Sequence, residues 1–176
     1  QAQASAERIL SLIETEPDIK DTPEVEEKYG TLLEPKKENW EPLEGDIEFR
    51  NVTFKYQTGE PVLENFNLKV KKGTSVALVG ETGSGKTTIV NLICRFYEPV
   101  SGEILIDGRD YRERSIGWLH SNLGYVLQTP HLFNGSILEN IRFGRLDASD
   151  EEVIAAAKAV GVDDFVKDLP EGYDTV

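Results

Sequence analysis

The chain has 176 residues, enough for one domain with an appended segment, and 39% of them are hydrophobic, so it can bury a sizeable core. Its formal charge is -13, from 19 basic and 32 acidic side chains, which argues against a nucleic-acid-coating face and against electrostatic docking on anionic lipid. The single cysteine, Cys94, excludes an internal disulfide and fits a reducing compartment; it reads as a small buried hydrophobe rather than a reactive thiol. No apolar run approaches the roughly 18 residues a membrane span needs, and no secretory signal opens the chain. Methionine is absent, position 1 included, so the sequence reads as a segment cut from a longer one.

Residues 1–16 are expected to form a helix. Ala6, Ile9, Leu10 and Ile13 follow the spacing of one apolar stripe, and Pro17 stops it. Residues 17–46 are rich in Pro and Glu. Residues 1–46 hold 13 acidic and 5 basic side chains, which leaves 19 and 14 for the remainder. Composition and charge shift near Gly45, where a boundary is placed, and the acidic run reads as solvated linker.

Strands are expected from Ile47 onward. Ile47 and Phe49 share one parity while Val52, Phe54 and Tyr56 share the other, which predicts a bulge near Arg50-Asn51. After the turn-like Gln57-Thr58-Gly59-Glu60, Phe66, Leu68 and Val70 alternate as a half-buried strand. Lys72-Gly73 turns into Ser75-Val76-Ala77-Leu78-Val79, a short apolar run with the look of a strand buried on both faces. A helix with Ile89, Leu92, Ile93 and Phe96 on its buried face follows the glycine-rich segment, and Pro99 lies beyond its end. Glu103 to Asp107 is a further strand closed by Asp107-Gly108, and Tyr125-Val126-Leu127 reads as a buried strand ending at Gln128. Ser136 with Glu139, and Ser149 with Glu152, are capping boxes opening two helices. The second of these carries Val153, Ala156, Ala157 and Val160 on one stripe and ends at Gly161.

Between strand and helix lies Gly80-Glu81-Thr82-Gly83-Ser84-Gly85-Lys86-Thr87, which meets the pattern G-x-x-x-x-G-K-[ST]. Glycines allow the backbone to fold around an anion in conformations a side chain forbids. Successive N–H groups then converge, and the helix adds its positive N-terminal end. Lys86 supplies a mobile positive charge for the outer phosphates, and the Thr87 hydroxyl suits Mg²⁺. The spacing alone also fits a glycine-rich turn with an ordinary surface lysine. The strand–loop–helix order decides for a nucleoside triphosphate, namely ATP, with Thr88 closing the binding stretch. Phosphate binding by itself does not separate a transporter engine from a kinase, a GTPase or a recombinase.

From about residue 46 to 176 the chain resembles the nucleotide-binding domain of ATP-binding cassette transporters of the exporter type. Ile47-Glu48-Phe49-Arg50-Asn51-Val52-Thr53-Phe54-Lys55-Tyr56 is similar to the family's first strand and aromatic loop, which implies that Tyr56 stacks on adenine; on spacing alone a strand-end Tyr capping a core is equally open. Ser101-Gly102-Glu103-Ile104-Leu105-Ile106-Asp107-Gly108 resembles the structural segment after the phosphate-loop helix, with Asp107 as a turn residue rather than a metal ligand. Gly124-Tyr125-Val126-Leu127-Gln128 resembles the strand into the Q-loop, which implies that Gln128 touches Mg²⁺ or the attacking water. The stretch from Pro130 to Ile141 resembles the surface that receives the membrane domain, where Leu132 and Phe133 suit a docking patch or, equally, a core. His120 and His131 read as structural or surface residues. Ser5-Ala6-Glu7-Arg8-Ile9-Leu10 and the acidic run resemble the stretch after the last membrane helix of exporters that fuse both domains.

The resemblance implies an α/β fold: a truncated P-loop NTPase core with an antiparallel β subdomain at its N-terminal side. It divides the chain into an extension helix and acidic linker, residues 1–45, and the N-terminal part of a nucleotide-binding domain, residues 46–176. It implies Lys86 and Gln128 as catalytic residues and Tyr56, Gly80, Glu81, Thr82, Gly83, Ser84, Gly85, Lys86, Thr87 and Thr88 as ATP contacts, with Thr87 and Gln128 on Mg²⁺. The implied partners are a second such domain, identical or not, and the protein's own membrane domain at the cytoplasmic face, with no nucleic acid. No L-S-G-G-Q occurs in the sequence and no apolar run ends in Asp-Glu, so hydrolysis is expected of a longer parent. The fragment's sheet is expected to need a missing strand for stability. The alternatives are a non-transport ATPase of the same superfamily, a small kinase using Arg109, Arg112 and Arg114 as a lid, and a nucleotide-binding module without turnover.

Overall fold

The computed structural model describes Leu10, Ile13 and residues 15–176. The described residues up to 124 form one compact unit and residues 125–176 another. The expected stripe residues Ala6 and Ile9 lie outside the described residues, while Leu10 and Ile13 are helical and exposed.

The first unit is built on a four-stranded antiparallel sheet of β1 (Ile47–Phe54), β2 (Leu63–Val70), β3 (Ser101–Ile106) and β4 (Arg109–Asp110), in the order β2-β1-β3-β4. The predicted bulge is present. Two exposed residues, Arg50 and Asn51, separate the buried Phe49 and Val52, and the register of β1 slips there against both neighbours. Across the hairpin, β2 holds its own extra residue between Phe66 and Leu63. The second slip cancels the first, so Phe54↔Leu63 regains the register of Ile47↔Val70. Asn51 and Asn65 take positive φ, 49° and 47°, a conformation Asn tolerates better than most residues. Asn67 joins the two bulges: its Oδ1 accepts from the Asn51 N–H at 3.0 Å and its Nδ2 donates to the Asn65 carbonyl at 2.8 Å. On the far side, Gly102 (φ +85°) lies so close to the bulge that a Cβ would sit 2.4 Å from the Asn51 carbonyl oxygen.

Helix α2 (Lys86–Ile93) buries Ile89 and Leu92 against Phe49, Val52, Phe54 and Ile104 of the sheet. Helix α3 (Ile116–Ser121), capped by Ser115, adds the buried Trp118 and Leu119. Phe96 was expected on the buried face of the phosphate-loop helix, but α2 ends at Ile93 and Phe96 is largely exposed. The chain reverses there. Arg95 takes φ +54°, its N–H bonds the Leu92 carbonyl, and the Phe96 N–H bonds that of Asn91, the double closure of a Schellman turn.

The acidic run is not solvated linker. Helix α1 (Pro23–Tyr29), capped by Thr22, buries Val25 and Tyr29, and Trp40 and Leu43 pack on the main core. Its acids pair with arginines distant in sequence. Glu41 meets Arg109 at 2.9 Å and Arg114 at 3.1 Å, and Asp21 meets Arg95 at 2.8 Å. Where the run joins β1, the Asp107 carboxylate accepts the N–H groups of Glu44, Gly45 and Asp46, each at 2.9 Å, from the expected turn with Gly108.

Two expected strands are absent. Residues 75–79 form no ladder with any described residue; Val76 is 50% and Val79 92% exposed. Tyr125, Val126 and Leu127 likewise lie outside every strand of the sheet and are exposed. A doubly buried strand is apolar because packed layers cover both its faces, and among the described residues neither run joins a ladder.

The second unit holds α4 (Ile137–Arg142), α5 (Asp150–Ala159) and α6 (Val162–Lys167). Both capping boxes form as expected. Along α5, Val153 and Ala157 are buried, whereas Ala156 and Val160, expected beside them, are exposed. The unit is too small to cover a wide stripe. Gly161 ends α5 at φ +76° as expected. A final turn, Gly172–Asp174, returns the chain so that the Thr175 carbonyl accepts the Ile137 N–H, and the Tyr173 hydroxyl donates to Asp163 at 2.8 Å.

Candidate functional site

The glycine loop closes on its own lysine. Lys86 Nζ donates to the carbonyl oxygens of Gly80 at 2.8 Å and Glu81 at 2.6 Å, and to Ser84 Oγ at 3.3 Å. A positive charge thus sits inside the ring of backbone that a phosphate chain would thread. A Cβ on Gly80 would lie 2.6 Å from Ser84 Oγ, and Gly85, at φ +86° directly before the helix, packs beside Val62 and Leu63. The loop therefore has its closed shape because these positions lack side chains. From Gly85 the backbone enters α2, whose first N–H groups have no carbonyl of their own helix to bond.

Thr87 and Thr88 face opposite ways. Thr87 is exposed at the rim of the loop, and Thr88 is buried, where its Oγ1 lies 3.0 Å from the Tyr56 hydroxyl. Tyr56 is thereby held beside the loop. Its ring meets Phe54 edge-on at 4.9 Å and Tyr97 edge-on at 5.2 Å. Tyr56, Val62, Gly83, Gly85, Lys86, Thr87 and Thr88 line one cavity of about 210 Å³. Of these, Val62 carries no sequence signal; only the fold brings it to the loop. The exposed Thr87 hydroxyl beside the Lys86 ammonium offers an oxygen and a positive charge that fit a magnesium-bound phosphate.

Gln128 belongs to the second unit, where it is exposed. Nearby, Asn140 pins the loop that follows: its Oδ1 accepts from the Phe133 N–H at 2.8 Å and its Nδ2 donates to the Phe133 carbonyl at 3.0 Å. Phe133 stacks on Phe143 at 4.2 Å, and Leu132 beside them is 87% exposed. Leu132 and Phe133 are thus surface, not core. His131 is exposed, and His120 Nε2 lies 2.8 Å from the Cys94 carbonyl, a structural contact. Burial pushes the Cys94 thiol above its ordinary pKa, the opposite of a reactive cysteine. Among the described residues no cluster of His, Cys, Asp and Glu could hold a metal ion by itself.

The three arginines weighed as a kinase lid are committed elsewhere. Arg109 and Arg114 pair with Glu41, and Arg112 with Asp110 at 2.6 Å. Burial works against the Glu41 carboxylate, but Arg109, Arg114 and Lys28 together hold its pKa below the ordinary value.

A glycine loop closed on lysine at the head of a helix is the loop and helix of a phosphate-loop NTPase, the class to which the sequence motif also points. The ABC transporter family model matches residues 63–174, and the chain belongs to that family. Over 132 residues it is 54% identical to the uncharacterized ABC transporter ATP-binding protein YfiC of Bacillus subtilis, covering 75% of this chain and 22% of the relative. Over 176 residues it is 44% identical to the ATP-dependent lipid A-core flippase of Syntrophus aciditrophicus, covering all of this chain and 27% of the flippase. The chain thus spans about a quarter of the length of these curated relatives. Among solved structures it resembles a bacterial Atm1-family ABC exporter with ATP bound, with a TM-score of 0.81, 36% identity, and coverage of 98% of this chain and 28% of that one. The flippase and the Atm1-family exporter are transport proteins by name, and the region matched in them is an ABC nucleotide-binding domain.

Proposed function

We propose that the chain is the phosphate-binding half of an ATP site in the motor domain of an ATP-driven exporter. The observation that carries this reading is the Lys86 ammonium held inside the loop by the Gly80 and Glu81 carbonyls, poised to exchange them for phosphate oxygens. In this reading Gly80, Glu81, Thr82, Gly83, Ser84 and Gly85 present backbone N–H groups to the phosphates, and Thr88 holds the Tyr56 ring as a platform for the base. Thr87 and Gln128 would hold Mg²⁺, which supplies charge neutralisation of the terminal phosphates. Lys86 neutralises the charge that accumulates on the γ-phosphoryl oxygens, and Gln128 orients the water that attacks in line.

Hydrolysis and its coupling to transport are proposed for the whole protein, with residues 1–45 as the extension and linker and residues 46–176 as the domain proper. Its partners would be a second nucleotide-binding domain, identical or not, and its own membrane domain. The exposed Leu132 and Phe133, in the stretch from Pro130 to Ile141, support docking of the latter. No described helix is long and apolar enough to cross a membrane. On the likeness to a membrane exporter, the proposal places this chain at the cytoplasmic face of an integral membrane protein.

Calorimetric titration with Mg-ATP tests the reading. The unsubstituted chain should bind, and Lys86→Ala should bind at least about tenfold more weakly, the loss of one charge-assisted contact. Equal affinities would remove Lys86 from the site.

A further inference from the structure

Tyr56 also borders a second cavity, of about 570 Å³, and the acidic run forms part of its wall. Asp18 and Ile19 line it together with Tyr56, Tyr97 and Glu98. Two residues further on, Asp21 is sealed in: its side chain is 9% exposed and that of its partner Arg95 is 2%. The Asp21 carboxylate also accepts the Ile116 N–H at 2.9 Å. Arg95 spreads its guanidinium over four acceptors, namely Asp21 and Glu98 at 2.8 Å each, the Arg114 carbonyl at 3.2 Å and the Lys20 carbonyl at 3.4 Å.

This network surrounds the reversal that places Tyr97. Arg95 holds a left-handed backbone conformation that costs a non-glycine residue about 1–2 kcal/mol. Its side-chain bonds offset that cost. Its guanidinium lies 5.7 Å from the Tyr111 ring, and the Tyr111 hydroxyl donates to the Tyr97 carbonyl at 3.3 Å. Tyr97 in turn packs edge-on against Tyr56, which reaches Thr88 in the first turn of α2. Each link is a packed or hydrogen-bonded contact, so the acidic run and the base platform share one set of supports.

We infer that residues 18–21 are a working part of the nucleotide site: Asp21, through Arg95, positions the Tyr97–Tyr56 pair, and Ile19 backs it. The inference rests on the ATP-site reading above. Asp21 and Arg95 are positioning residues, since neither borders the phosphate loop. Coupling of this kind is reciprocal, so a nucleotide base held on Tyr56 would stabilise the docked position of the run.

The test compares ATP with inorganic tripolyphosphate, which has the phosphates but no base, on the full chain. Asp21→Asn should weaken ATP binding about fivefold or more and leave tripolyphosphate affinity unchanged, with partial recovery in Asp21→Glu. In a Tyr56→Ala background, Asp21→Asn should have no further effect on ATP. Ile19→Ala, which leaves the sealed ion pair intact, should weaken ATP selectively as well, and it decides the matter if Asp21→Asn fails to fold. Wild-type ATP affinity in the folded variants overturns the inference and leaves the ATP site standing. Parallel loss of both ligands also overturns it, because the run would then support the fold rather than the base platform. Failure of the unsubstituted chain to bind ATP overturns both the site and the inference.

Discussion

The Tyr56 hydroxyl and Thr88 Oγ1 lie 3.0 Å apart, joining the end of the first strand to the first turn of the phosphate-loop helix across 32 residues of sequence. The contact separates two roles of one side chain. The hydroxyl anchors, and the ring offers its surface.

Tyr56→Phe therefore removes the anchor and keeps the ring. Its expected cost is about 1 kcal/mol of folding stability, one neutral hydrogen bond, with a small change in ATP affinity. Tyr56→Ala removes the ring as well, and should weaken ATP by about 1–3 kcal/mol, the range for a base stacked on an aromatic side chain. Thermal unfolding and calorimetry on both variants read the two effects separately. Equal ATP loss in the two variants would place the binding energy in the hydroxyl instead.

Gly102 and Gly108 are both left-handed, at φ +85° and +76°, but differ in their surroundings. A methyl group on Gly108 meets nothing within 4 Å, and one on Gly102 meets the Asn51 and Arg50 carbonyl oxygens at 2.4 and 2.5 Å. Gly108→Ala should cost about 1–2 kcal/mol, the conformational penalty alone. Gly102→Ala adds an overpacking cost of about 1–3 kcal/mol to the same penalty. Urea unfolding of the pair checks this, and equal costs would contradict the close approach of β3 to the bulge.

Glu41 gives the stability a pH dependence of definite sign. Its carboxyl titrates lower in the folded state than in the unfolded chain, held down by Arg109, Arg114 and Lys28 against the opposing effect of burial. Its contribution is complete above the ordinary carboxylate pKa of about 4.3 and is lost as pH falls through the lower folded value. Glu41→Gln should therefore destabilise the chain near neutrality, by stranding the buried Arg114, and flatten the decline in stability below pH of about 4. The half-exposed pair is screened by salt, so the difference should shrink at high ionic strength. Chemical denaturation across pH measures it; superimposable profiles would show the ion pair to be idle.

What the sequence disclosed was local. The phosphate loop, the parity switch at Arg50-Asn51, the two capping boxes and the turn at Asp107-Gly108 each depend on residues within a few positions of one another, and each is present. What it concealed was long-range. The apolar runs at 75–79 and 125–127 carry strand-like composition, but a strand is made by its neighbours. The acidic run looked solvated because Asp21 and its partner Arg95 are 74 positions apart, and no spacing rule connects them. In the candidate site the glycines and Lys86 announce themselves as one motif, whereas Val62 and Tyr97 come to it only through the fold.

The paired bulges of the first hairpin have a consequence for how its sequence can change. Because the extra residue in β1 is offset by one in β2, loss of either position alone would slide the hairpin's distal end out of frame, and Phe54 would no longer face Leu63. Loss of both would restore the frame. At Asn51 and Asn65 the hairpin thus admits insertions and deletions only as matched pairs, and is sensitive there to residue number before residue identity.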